Sequence, residues 1–187
     1  MQRVSIVLTL VIGALMSGVP GAHAQSRVGT DSATRLTRLG RDVVYGTAEG
    51  LAFAGLDQVH NNPVEWGKGW RGYEKRVASN LGEFYIQEGV IDGLAAVMNR
   101  PLDYKTCTCR GFGERIAAAA LGAVTDQMPG GSHPIAIPRL VGAYAGSFAQ
   151  AAWRPASGSS RTHVALVNGT TSIAIGALIN LYHEIRR

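Results

Sequence analysis

The sequence predicts an all-α protein, a compact bundle of about five helices held by contacts between small residues. Three observations carry this. Five stretches show helical patterning and are separated by segments dense in Pro, Gly, Asn and Ser. No run alternates apolar and polar residues as a half-buried strand would. Glycine also recurs four residues apart inside the helical stretches, as Gly46/Gly50, Gly89/Gly93 and Gly142/Gly146. Each interior glycine costs about 1 kcal/mol against alanine. A chain that carries many of them needs an offset, and close approach of a neighbouring helix supplies one.

Taken in order, residues 1–24 read as a cleaved export signal. Arg3 precedes the 13-residue apolar run 4–16, Pro20 and Gly21 break it, and Ala22-His23-Ala24 is a small-x-small cleavage site. The run is short for a membrane span of ~20 residues, so cleavage is preferred to an anchor. Residues 25–34 are polar and breaker-rich, a flexible lead-in. Residues 35–187 are expected to form one helical domain, large enough for a core.

The expected helices are 35–58, 73–99, 111–127, 138–153 and 162–185, with Pro138 suited to a first helical position. The last carries Asn168, Ser172, Gly176 and Asn180 on one stripe, with Gly169 beside it. Val164 to Tyr182 is a 19-residue run without Asp, Glu, Lys or Arg, bounded by Arg161 and His163 before it and by His183, Glu184, Arg186 and Arg187 after it. That is close to the length of a span, but Asn168, Thr170, Thr171, Ser172 and Asn180 dilute its apolarity. Glu49, Glu88 and Asp92 lie inside other helices, and a charge at mid-bilayer costs at least ~2.5 kcal/mol, so five spans are not expected. The last helix is read as a core helix or as one that dips into a membrane.

The formal charge of +5 falls to +4 when Arg3 leaves with the signal. With no long Lys/Arg run, this gives no ground for a nucleic-acid partner and fits an anionic lipid or glycan surface. Two cysteines, Cys107 and Cys109, sit in KTCTCRG. A bridge between them closes a tiny loop. Free thiols, an intermolecular bridge or, with His60 or His133, a metal remain as alternatives, and no metal site or cofactor is expected.

Candidate catalytic residues are Glu49, Glu88, Asp92, Arg115 and His163. Glu88 and Asp92 are one helical turn apart, so their carboxylates share a side. Glu49 lies among Tyr45, Leu51 and Phe53, and Arg76, Arg115 and Arg139 are candidate partners for the acids. Such a set could run a small periplasmic hydrolase or a metal-dependent enzyme. The competing reading is a set of solvated or ion-paired helix residues. No G-x-S-x-G, H-E-x-x-H, P-loop or dinucleotide fingerprint is present.

Residues 62–76, NPVEWGKGWRGYEKR, form a turn-rich loop with Trp66, Trp70 and Tyr73 among Lys68, Arg71, Lys75 and Arg76. The aromatics could plug the bundle, sit at lipid headgroups beside the cations, or stack on a ligand. The segment P-x-E-W-G-x-G-W-x-G-Y-x-x-R (Pro63 to Arg76), with R-G-F-G-E-R at 110–115 and Trp153-Arg154-Pro155, resembles a group of exported bacterial glycine-rich helical proteins of unknown function. The likeness spans about residues 45–185, and the two cysteines depart from it. It implies a single exported helical domain and adds no catalytic residue.

The functional expectation is an exported cell-envelope protein, periplasmic or membrane-associated and non-enzymatic. It associates with a membrane surface or an envelope protein through Trp66, Lys68, Trp70, Arg71 and Tyr73. Helix packing is expected at Gly46, Gly50, Gly89, Gly93, Gly142, Gly146 and Gly176. Such stripes serve contacts within a chain and between chains equally well, so a homo-oligomer stays open.

Overall fold

A computed structural model describes residues 32–186; the expected signal, 1–24, and residues 25–31 of the lead-in lie outside the described residues. The fold is all-α. Its helices are α1 (Ser32–His60), α2 (Trp70–Met98), α3 (Phe112–Val124), α4 (Ile137–Trp153) and α5 (Arg161–Ile185), with a short 3-10 turn at Val64–Trp66. Among the described residues there is no strand, only an isolated bridge between Thr125 and Ile135.

Local chemistry explains the boundaries. The helix expected from 35 begins at Ser32, inside the segment read as lead-in. The helix expected from 73 begins at Trp70, because Gly69 O already accepts from the Gly72 and Tyr73 amides. α3 ends at Val124 rather than 127. The Asp126 amide donates to Pro134 O and the Ala136 amide to Val124 O, which draws the chain out of the helix. Pro138 stands in the first turn of α4. Ser160 caps α5 by accepting from the His163 amide at 3.1 Å.

The chain falls into two compact units. The first holds α1 and Trp66–Leu81, the start of α2. Gly46 and Ala54 are buried there, and a Cβ added at Gly50 would stand 2.8 Å from Leu81 Cδ2. One small-residue stripe of α1 thus packs against α2 within this unit.

The second unit holds Pro63–Glu65 and everything from Gly82 onward. Within it α4 crosses α2 at Gly142 and Gly146. A Cβ at Gly142 would overlap Ile91, and one at Gly146 would stand 2.9 Å from both Glu83 O and Gln87 Cβ. Gly169 of α5 takes the Tyr144 ring, 2.5 Å from where its Cβ would be, and Gly122 of α3 takes Tyr104. Gly89, Gly93 and Gly176 differ from expectation, since a Cβ at any of them meets nothing within 4 Å. For Gly89 and Gly93 the reason is angular. α2 meets α4 through residues 83, 87 and 91, and a residue two positions on lies about 200° around the helix.

The interior is unusual in composition. Among the described residues, the buried hydrophobics are eight alanines and Ile91, whereas the largest fully buried side chains include Arg76, Gln150, Glu184 and Asp126. Large apolar side chains lie outside, among them Phe112, Leu121, Phe148, Trp153, Leu166 and Leu178.

Candidate membrane-facing helix and the strap at its end

α5 is the one described helix long and apolar enough to cross a membrane, and only 17% of its most apolar 18-residue window is buried. Leu166, Val167, Leu178, Ile179 and Ile185 are exposed. The polar residues that dilute its sequence do not point unpartnered to the outside. Asn168 Nδ2 donates to Gln150 Oε1 at 3.0 Å, and Ser172 Oγ donates to Gln87 Oε1 at 3.0 Å. Thr170 and Thr171 donate to the carbonyls four residues back, each at 2.8 Å, and Thr170 Oγ1 also meets the Tyr144 hydroxyl at 3.1 Å. Asn180 Nδ2 donates to Ala119 O at 3.2 Å. All five have a hydrogen-bond partner within the chain, the exposed Thr170 and Thr171 on their own helix, and that is the condition a helix in hydrocarbon must meet. Basic residues flank the run: Arg161 and His163 are exposed at one end and His183 and Arg186 at the other, with the Arg186 guanidinium 5.8 Å from the Tyr182 ring centroid.

At the C-terminal end, Glu184 is 1% exposed. Its Oε1 accepts from the Tyr104 hydroxyl at 2.6 Å and from the Cys107 amide at 2.7 Å. Both donors come from the strap between α2 and α3, where Cys107 and Cys109 form a disulfide. Arg115 ties the strap down, donating through Nε to Cys109 O at 3.4 Å and through Nη1 to Glu184 O at 3.2 Å. Burial, and then the neighbouring carboxylate, push the Tyr104 hydroxyl above its usual range, so it stays a donor. By the loop-entropy relation, a bridge over three residues restrains the unfolded chain by only about 1.6 kcal/mol, against about 3 for a 15-residue loop.

Asp126 lies beside this region, fully buried. Its oxygens make no hydrogen bond, and Arg139 Nη2 stands 3.5 Å from Oδ1. Burial raises the carboxyl from its ordinary value, while Arg139 and Arg100 pull the other way. Arg139 also holds Gly122 O at 2.5 Å.

In the first unit, Arg76 builds the aromatic loop. It is fully buried, and its guanidinium donates to Asn62 O at 2.9 Å, Gln58 Oε1 at 2.6 Å, Gly67 O at 2.8 Å and Asn61 Oδ1 at 3.3 Å. The glycines follow from this knot. Gly67 takes φ +69°, and a Cβ at Gly72 would overlap Gly67 O and stand 2.5 Å from Trp66 O. The centre of the loop is therefore filled by the Arg76 guanidinium. Trp70 is 71% exposed and tilts on Tyr73 at 5.5 Å, with Lys68 and Arg71 exposed beside it and Trp66 half-buried.

The candidate catalytic residues do not assemble into one site. His163 and Arg115 lie at opposite ends of α5, since Arg115 bonds Glu184, 21 residues or about 31 Å along the helix. Glu88 and Asp92 are half-buried on α2 in the second unit, and Glu49 is half-buried in the first. Among the described residues, no three His, Cys, Asp or Glu side chains gather as a metal site. A shallow open groove on α5 is lined by Leu166, Val167, Thr170 and Thr171, with no ionisable side chain. Sequence reading missed Glu184 as a buried anchor. Its one visible signal is that it is the first acid after a long uncharged run.

Comparison with protein-family models, with curated proteins and with solved structures yields no match.

Proposed function

We propose that this is an exported cell-envelope protein that is not an enzyme and works by associating with a membrane, with α5 as the lipid-contacting helix. The carrying observation is that α5 leaves Leu166, Val167, Leu178 and Ile179 outside, while Asn168, Ser172 and Asn180 bond to neighbouring helices and the exposed Thr170 and Thr171 bond back to carbonyls of their own helix. The core helix of a water-soluble protein would be mostly buried. The run of 19 residues measures about 28 Å, close to the ~30 Å hydrocarbon layer. Its flanking cations and Tyr182 suit headgroups. The exposed Trp70, Lys68 and Arg71 supply a second, electrostatic contact with an anionic surface. Export rests on the segment 1–24, and the likeness of Pro63 to Arg76 to exported proteins of unknown function agrees with it.

Fractionation of cells expressing the full-length chain tests this, with washes in high salt, then alkaline carbonate, then detergent. Retention until detergent, with an N-terminus at Gln25, is expected. Release with the soluble fraction overturns the membrane reading. The exposed face would then belong to a protein partner or a second copy, which sedimentation of the released protein separates. Leu166→Glu with Leu178→Glu, both on the exposed face, should move the protein to the carbonate-soluble fraction.

A further inference from the structure

The disulfide on the strap closes too small a loop to account for itself by stability, and its surroundings are chemical. Both cysteines are partly exposed. The Cys109 amide donates to Cys107 Sγ at 3.3 Å, where it would stabilise negative charge on that sulfur. Glu184 Oε2 stands 3.6 Å from the same sulfur, within reach of a thiol proton. Tyr104 and the Cys107 amide hold the other carboxyl oxygen, Oε1, which fixes Oε2 toward the sulfur. The Arg115 guanidinium beside Cys109 O adds positive charge near the pair.

We propose that Cys107–Cys109 is a thiol–disulfide exchange site whose substrate is a protein dithiol, with Glu184 carrying the proton for Cys107. The substrate thiolate attacks Cys109 Sγ. A mixed disulfide forms, the Cys107–Cys109 bond breaks, and the electron pair goes to Cys107 Sγ against the Cys109 amide. The proton that the first substrate thiol gave up reaches Cys107 through Glu184 Oε2. The second substrate thiol gives up its proton to water and attacks the substrate sulfur of the mixed disulfide, and Cys109 leaves as a thiolate that takes a proton back from water. The substrate is oxidised to a disulfide and the pair is reduced to two thiols, a transfer of two electrons and two protons. In the reverse direction Glu184 accepts the Cys107 proton as that sulfur attacks. This site is independent of the membrane reading.

The test uses the full mature chain, oxidised, with reduced glutathione and a small dithiol as probes. Reduction is followed by thiol alkylation and mass spectrometry across pH. The reference is an oxidised synthetic peptide of residues 105–111. Wild type is expected to exchange at least about tenfold faster than the peptide, and Glu184→Gln to lose that advantage and flatten the pH profile. Exchange at or below the peptide rate overturns the proposal. So does a Glu184→Gln protein of unchanged helix content with the wild-type rate and pH profile. If Glu184→Gln does not fold, the peptide comparison and Tyr104→Phe decide. Tyr104→Phe keeps the carboxyl and removes one donor, so it must displace the pH profile; an unmoved profile counts against the role of Glu184.

Discussion

Two glycines of similar sequence context should respond to alanine with opposite outcomes. Gly89 and Gly146 are both interior helix positions, so replacing either gains about 1 kcal/mol of helix propensity. At Gly89 a Cβ meets nothing within 4 Å, so that gain stands alone. At Gly146 the Cβ would stand 2.9 Å from Glu83 O and Gln87 Cβ and 3.3 Å from Gln87 Cα. These atoms belong to the α2 backbone or lie next to it, and cannot swing aside as a side-chain tip would. Relief requires α2 and α4 to separate, at an overpacking cost of about 1–3 kcal/mol. Since the propensity gain is common to both, the difference between the variants isolates that cost. For a chain of this size 1 kcal/mol moves a midpoint by about 2–4 °C. Gly89→Ala should melt about 2–4 °C above wild type, and Gly146→Ala about 2–12 °C below Gly89→Ala. Far-UV circular dichroism melts under one solution condition give both numbers. A Gly146→Ala midpoint equal to or above that of Gly89→Ala would refute the claim that α2 and α4 touch at the backbone.

Further outcomes follow from the other buried and exposed groups. Arg76→Met leaves four oxygens in the 58–67 loop without their donor and should cost about 3 kcal/mol, read by chemical denaturation. Arg76→Lys should not restore stability, because an ammonium cannot span those acceptors. Trp70→Ala with Arg71→Ala should leave the melting midpoint within about 2 °C of wild type, since both side chains are exposed, yet weaken binding to anionic vesicles. That loss should shrink in high salt; equal binding by both proteins would remove the loop from the contact. Asp126 has a raised folded-state pKa, so the folded chain holds its proton more tightly than the unfolded chain does. Its contribution is therefore fully present below the ordinary aspartate value of about 3.9 and is lost as pH rises through the folded value. The midpoint of wild type relative to Asp126→Asn should fall from pH 4 to pH 7, and a difference that is constant or rises contradicts the assignment.

The helical class was legible because periodicity and breakers are local signals, and so was the part of the glycine pattern at Gly50, Gly142 and Gly146. Gly89 and Gly93 carry the same spacing but face away, because spacing alone does not say which side of a helix has a neighbour. The aromatic loop was legible as a turn, but the group that organises it, Arg76, lies in the following helix and was read as a partner for acids. Two of its four acceptors are backbone carbonyls, of Asn62 and Gly67, which leave no trace in side-chain chemistry. Glu184 was hidden for a related reason. Its donors, Tyr104 and the Cys107 amide, are about 80 residues away, and only tertiary structure brings the strap to the end of α5. The candidate acids were visible as charges inside helices, whereas the separation of His163 from Arg115 is a matter of distance along α5.

The composition of the interior bears on why the outer surface is apolar. Alanine buries little area, so a core of alanine and glycine draws weakly on the hydrophobic effect, which scales with area removed from water at roughly 25 cal/mol per Å². Backbone proximity and internal hydrogen bonds such as Asn168–Gln150, Ser172–Gln87 and Ser147–Glu83 do the joining instead. In water such bonds add only about 1 kcal/mol each, and the exposed Phe112, Leu121, Phe148 and Leu178 would remain an unused store of burial energy. In lipid the same arrangement is coherent. The large side chains are already in their preferred solvent, small residues permit close helix contact, and polar groups must bond inward. The three features have one cause if the second unit meets hydrocarbon, and need three separate explanations if it does not.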